Sequence, residues 1–246
     1  MSRKSRPKPN AAEPDAANLV AVNHVGAPSV HAAIKAPVLA PMGAPVRGTI
    51  RSMCVYCGSG AGRSPAYTAA AQTLGRMMAE DGIRLVYGGG GAGLMGEVAK
   101  AVLKHGGQVT GIIPEFLSSK EHMLHDVQEL IVVDDMHQRK RLMFEKSDAF
   151  VALPGGIGTL EELVEQLTWA QLGQHKKPIV LANIGGFWDP LLVLLAHMRD
   201  ERFIRAGLEV RFVKVDRAED IVAAAQAAAD PLSNGDATAA VTLAQF

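Results

Sequence analysis

Aromatic residues are scarce: Phe, Trp and Tyr make up 5% of the 246 residues, and none falls in the first 48. That opening stretch instead holds 7 of the 13 prolines and 11 alanines. Without a periodic apolar face it cannot bury enough area to offset the entropy of ordering it, so residues 1–48 are expected to form a disordered tail. Cysteine is scarcer still, and Cys54 and Cys57 are the whole supply. Their C-x-x-C lies in the apolar run SMCVYCG, which reads as a strand, and residues three apart on a strand face opposite ways. A redox pair would open a helix, and a structural zinc site would need two more ligands. Two ordinary thiols at a strand end remain.

Charge of one sign is also missing. Lysine plus arginine equals aspartate plus glutamate at 25 each, so no global field favours nucleic acid, an anionic membrane or a polyanionic substrate. Neither nucleic acid nor membrane is expected as a partner, and any anion must be bound locally. The tail carries net +4 and the remainder −4. No apolar stretch approaches the ~20 residues of a membrane span, and the N-terminus lacks the apolar centre of a secretory signal; a cytoplasmic location is the expectation.

What is present is enough apolar sequence, 48%, for one substantial core. From about residue 50, short β-branched runs alternate with helical patterns: SMCVYC, IRLVYG, QVTGIIP, ELIVVD, DAFVALP, KPIVLANI and VRFVKV. Seven such runs separated by crossovers predict an α/β, Rossmann-like, doubly wound and mostly parallel sheet with helices on both faces. Residues 49–230 are read as this nucleotide-binding domain and 231–246 as a frayed tail.

Ligands of such sheets sit beyond the carboxyl ends of the strands, and three of those loops are glycine-rich: 57–62, 88–96 and 154–159. The middle one contains G-x-G-x-x-G at Gly91, Gly93 and Gly96, the dinucleotide fingerprint, but after the second strand rather than the first. It reads either as a nucleotide loop or as glycines needed for tight turning and close helix packing. The third loop, PGGIGT, places glycines and the Thr159 hydroxyl at a helix N-terminus, a phosphate-binding arrangement. It lacks the Gly-Lys-Ser/Thr ending of a triphosphate loop, so a monophosphate fits better.

Glu161 and Glu162 follow in the first turn of that helix, and position alone does not choose between them. Upstream, DDMHQRKRLMFEKS reads as a helix capped by Asp134 or Asp135, with Arg139 and Lys140 near its start, where cations oppose the helix dipole. They face either an anion or solvent. A metal site at Asp134 and Asp135 is disfavoured because no third ligand stands at useful spacing. No metal and no cofactor are expected.

The succession GGGGAGLMG, DMHQRK, PGGIGTLEE and TWAQLG resembles the Lonely Guy family of cytokinin riboside 5'-monophosphate phosphoribohydrolases, from about Met53 to Val215. The resemblance implies hydrolysis of the N-glycosidic bond of N6-substituted adenosine 5'-monophosphates, with release of the free base and ribose 5-phosphate. It also implies Arg139 and Glu162 as catalytic residues. Glu121, Lys140, Gly156, Ile157, Gly158, Thr159, Leu160, Glu161 and Thr168 would bind the nucleotide, and the chain would form a homodimer or a multiple of one. Relatives have carried the label lysine decarboxylase, a chemistry that needs a Schiff-base lysine and a pyridoxal phosphate pocket. One departure is Gln138, where the family commonly has glutamate. The alternative from another class is a purine-nucleotide binding or carrier protein without catalysis; a weaker one is an NAD-dependent oxidoreductase.

Overall fold

A computed structural model describes residues 50–118, 124, 126–205 and 207–230. The two expected tails and Glu121 lie outside the described residues. The order of elements is β1 (Ser52–Tyr56), α1 (Pro65–Glu80), β2 (Arg84–Tyr87), α2 (Gly93–Lys104), β3 (Val109–Pro114), α3 (Glu115–Ser118), β4 (Glu129–Val133), α4 (Met136–Glu145), β5 (Ala149–Ala152), α5 (Ile157–Gln171), β6 (Ile179–Ala182), α6 (Asp189–Asp200), β7 (Val213–Val215) and α7 (Ile221–Ala229). Each strand falls within one of the seven apolar runs.

The strands form one sheet in the order β4-β3-β2-β1-β5-β6-β7, and every pairing is parallel. Side chains alternate across the pleat, so the five inner strands each feed two apolar layers. Met53 and Val55 join Leu74 of α1, Val98 of α2 and Ile221 of α7 in one layer. Cys54 and Tyr56 join Met143 of α4, Leu163 of α5 and Leu192 of α6 in the other. Cys54 and Cys57 accordingly sit in opposite layers as free, buried thiols whose burial pushes their pKa up.

Local chemistry agrees with this frame. Ser64 caps α1 by accepting from the Ala66 amide, and Pro65 occupies the first helical position. From β1 the chain steps outward through β2, β3 and β4, then returns across the sheet by α4 to β5, on the other side of β1. This reversal makes the carboxyl ends of β1 and β5 the switch point, where neighbouring connections diverge and leave a crevice.

α1 and α2 pack closely because Gly75 has no side chain. A Cβ there would lie 2.7 Å from Ala101 Cβ and 2.5 Å from the Val98 carbonyl oxygen. Alanine is the better helix former by about 1 kcal/mol, yet Gly75→Ala is expected to lower the thermal midpoint. Overpacking of this kind costs about 1–3 kcal/mol and outweighs the propensity gain. A midpoint equal to or above the parent's in calorimetry would contradict the close contact.

Candidate active site

Of the loops at the switch point, the one after β1 is used internally. The Gly58 amide donates to Pro154 O at 3.1 Å, tying it to the loop after β5. Its carbonyl accepts from the Leu94 and Met95 amides of α2 at 3.0 and 3.3 Å. The N–H groups that would receive a pyrophosphate at the start of α2 are therefore already engaged. Gly93, at φ 56°, meets the Ser59 carbonyl where a Cβ would stand, and Gly96 meets the Gly91 carbonyl. In Gly91, Gly93 and Gly96 the fingerprint serves close packing, the second of the two readings open from sequence.

The start of α5 differs. Its N-cap, Gly156, provides no side-chain hydrogen bond, whereas Ser64 caps α1 and Asp135 caps α4. The Leu160 amide makes the first intrahelical bond, to Gly156 O at 3.0 Å. The amides of Ile157, Gly158 and Thr159 come before it, in the positions that the helix itself cannot satisfy and where its dipole is positive. Thr159 is buried and fits because Gly155 has no Cβ to meet its hydroxyl. Ile157 points outward, and Leu160 is half-buried.

One turn further in, the two neighbouring glutamates differ in burial. Glu162 is 8% exposed and Glu161 is exposed, as the 100° per residue of a helix requires of neighbours. Glu162 faces Arg139 of α4, also 8% exposed, with Arg139 Nη1 3.7 Å from Glu162 Oε1. Arg139 is held by donation from Nε to the Ile112 carbonyl of β3 at 3.2 Å and from Nη1 to Met136 Sδ at 3.8 Å. It thus reaches from the β3 side of the crevice toward α5. Loss of hydration pushes the Glu162 pKa up to about 7, against the attraction of Arg139 and Lys140 and with the repulsion of Glu161 and Glu165.

Lys140 lies beside this pair, with Nζ 2.6 Å from Glu161 Oε1 and 2.9 Å from Glu165 Oε1. Burial pulls its pKa down, but the hydrogen bonds it donates to the two carboxylates outweigh this and the net shift is upward. A Schiff-base lysine needs the opposite shift. Glu165 was not singled out from sequence, although it stands four residues after Glu161, the spacing that puts two side chains on one side of a helix. Arg139 and Lys140 therefore both face carboxylates of α5, whereas Arg141 of the same helix is exposed.

The structure does not bring Thr168 to this group. It is exposed near the end of α5, and its hydroxyl donates to the Val164 carbonyl at 2.7 Å. Gln138 is part of the α4 cap: its amide donates to Asp135 Oδ1 at 2.8 Å, and its side-chain Oε1 accepts from the Asp134 amide at 2.9 Å. Glutamine and glutamate serve equally well in such a reciprocal cap, so this departure leaves the neighbouring Arg139 in place. Among the described residues, no cluster of three His, Cys, Asp or Glu side chains is placed to hold a metal ion. Nor, among those residues, is any helix long and apolar enough to cross a membrane.

Residues 95–225 match a protein family whose model is described as "possible lysine decarboxylase". The chain is 47% identical over 176 residues to the cytokinin riboside 5'-monophosphate phosphoribohydrolase LOG of Oryza sativa subsp. japonica, covering 72% of this chain and 73% of that one. It is 47% identical over 182 residues to the cytokinin riboside 5'-monophosphate phosphoribohydrolase of Rhodococcoides fascians, covering 74% and 92%. Among solved structures, the molybdenum cofactor carrier protein of Chlamydomonas reinhardtii superposes with TM-score 0.56 at 23% identity, over 73% of this chain and 98% of that one. A molybdenum cofactor binding protein from Rippkaea orientalis does so with TM-score 0.54 at 24% identity, over 71% and 94%. At that identity the likeness is one of fold.

The raised Glu162 pKa has a consequence for stability. The folded chain holds the Glu162 proton more tightly than the unfolded chain, whose carboxyl titrates near 4.5. The resulting stability is full below about pH 4.5 and is lost as pH rises through about 7. Glu162→Gln removes this dependence. Its stability relative to the parent is expected to improve by up to about 3 kcal/mol as pH is raised across that window. Denaturant titrations at both ends of the window measure it; a constant difference would show that Glu162 titrates normally.

Proposed function

The chain belongs to the cytokinin riboside 5'-monophosphate phosphoribohydrolase family, and from that premise we propose how the residues at its switch point divide the work. The enzyme hydrolyses the bond between an adenine-type base and ribose 5-phosphate, releasing the free cytokinin base. In this reading the 5'-phosphate sits at the start of α5, on the amides that Gly156, Ile157, Gly158 and Thr159 present, with the Thr159 hydroxyl beside them. Lys140 joins by exchanging one of its two carboxylates for the phosphate.

Glycosyl cleavage passes through an oxocarbenium-like transition state, in which positive charge grows at the anomeric carbon and negative charge on the departing purine. Glu162 stabilises the former and takes a proton from the attacking water. The water oxygen bonds to the anomeric carbon as the bond to N9 breaks, and the electron pair leaves with the base. A carboxyl with a pKa of about 7 suits a general base near neutrality. Arg139 stabilises the negative charge of the leaving base or the phosphate. The observation that carries this reading is a pair of opposite charges, each 8% exposed, facing each other beside the start of α5, whose N-cap makes no side-chain hydrogen bond. A nucleotide carrier would have no use for a base tuned in this way.

We also propose a homodimer across α5. Ile157, Val164 and Leu172 are exposed and recur with Glu161 and Thr168 along a single stripe of that helix, the side opposite its core face. Such a contact would let Thr168 approach a site from which it is remote within one chain. Light scattering is expected to give a mass of two chains or a multiple; an active monomer would refute it.

For catalysis, Glu162→Gln should lower kcat by about 100-fold or more while AMP binding largely survives. Glu161→Gln should cost less, Arg139→Ala should lose turnover, and Arg139→Lys should not restore it. Nucleosides should react far more slowly than their monophosphates. Glu162→Gln turning over saturating AMP at near the parental rate would end the proposed mechanism, and equal rates on nucleosides would end the phosphate role of α5.

A further inference from the structure

Six glycines follow β2 between residues 88 and 96, and they do not share one function. Gly89 has φ 82° and Gly93 has φ 56°, conformations that disfavour any side chain. At Gly93 and Gly96 a Cβ would strike backbone carbonyls, which cannot move aside. Gly88, the first residue after β2, differs on both counts. Its φ lies outside the left-handed region, so alanine could adopt its backbone, and the atom in the way of a Cβ is the tip of one flexible side chain, Nη2 of Arg139. The next nearest are Met95 Sδ at 3.2 Å and Arg139 Cζ at 3.3 Å.

We propose that Gly88 is a positioning residue for the reaction, bare so that the Arg139 guanidinium can lie over the end of β2 and reach Glu162. The inference rests on the catalytic reading of Arg139. The guanidinium is fixed on its other sides by the Ile112 carbonyl and Met136 Sδ, and it meets Glu162 at 3.7 Å. A methyl group at residue 88 fills the remaining side. The cheapest response is for the guanidinium to move, because the backbone does not need to. Gly88→Ala should therefore fold and yet lose the geometry that the transition state requires.

The electrostatics supply an independent readout. Glu162 is faced by Arg139 and Lys140 from α4, by Glu161 and Glu165 on its own helix, and by Cys54 and Tyr56 from β1, with Cys57 just beyond the end of that strand also within its field. Of these, only Arg139 and Lys140 hold its pKa down, Arg139 more strongly. Turnover that needs the Glu162 carboxylate rises with pH through its pKa. Withdrawing the guanidinium must move that rise to higher pH.

The test is a cycle of Gly88→Ala, Arg139→Ala and the double variant in the full-length chain, with AMP as substrate. Gly88→Ala should keep its thermal midpoint within about 3 °C of the parent. Its kcat should fall about 100-fold, a typical effect of an ångström-scale misplacement. The rise of its pH profile should move toward alkaline pH. The double variant should be no more than about 3-fold slower than Arg139→Ala alone, since the two changes remove the same interaction. Gly88→Ala with parental kcat and pH profile, alongside an inactive Arg139→Ala, would overturn the role of Gly88 and leave that of Arg139 standing. An active Arg139→Ala would overturn both. Should Gly88→Ala fail to fold, the double variant still decides: folding regained once the arginine is truncated supports the shared space, and continued failure refutes it.

Discussion

Taking Glu162 out of water is the constraint around which the site is arranged. A buried carboxylate loses hydration worth several kcal/mol, and a single cation at 3.7 Å does not restore all of it, which is why its pKa remains near 7. Full compensation would return its pKa to the ordinary carboxylate range, and none would leave it higher still. Arg139 sets the balance from α4, and every element that places Arg139, from the cap at Asp135 to the carbonyl of Ile112, acts on Glu162 through it.

The second cation shows the same logic with a different outcome. Lys140 has two carboxylates at hydrogen-bonding distance and remains firmly charged, while one of its partners, Glu161, stays in contact with solvent. The neighbouring positions Arg139–Lys140 and Glu161–Glu162 thus form two unlike pairs, one dry and marginally compensated, the other wetter and fully compensated. Two cations near the start of α4 are unfavourable for that helix alone. Their acceptors lie on α5.

Glycine does three separate things around the crevice. At Gly93 and Gly96 it allows backbone to touch backbone, joining α2 to the loops after β1 and β2. At Gly156 it leaves the start of α5 without a side-chain cap, so its amides stay available. At Gly88 and Gly155 it vacates space for a side chain from elsewhere, Arg139 in one case and the Thr159 hydroxyl in the other. A sequence motif written as a string of glycines conceals these differences, because each depends on what stands opposite.

The sequence by itself determined the seven strands, the parallel class and the cap at Ser64, and it narrowed the cap of α4 to Asp134 or Asp135, because β-branched runs, helical periodicity and capping residues act over a few neighbours. The motifs also picked out the α5 loop and the Arg139–Lys140 pair. What it left open was every question of facing. The contact of Arg139 with Glu162, that of Lys140 with Glu161 and Glu165, and the packing of Gly93 on the loop after β1 each depend on a partner distant in sequence. Arg139 and Glu162 are 23 positions apart and meet only because the chain crosses from β4 to β5 between them. Local pattern specifies which face a residue takes on its own element; only the assembled sheet specifies what that face meets.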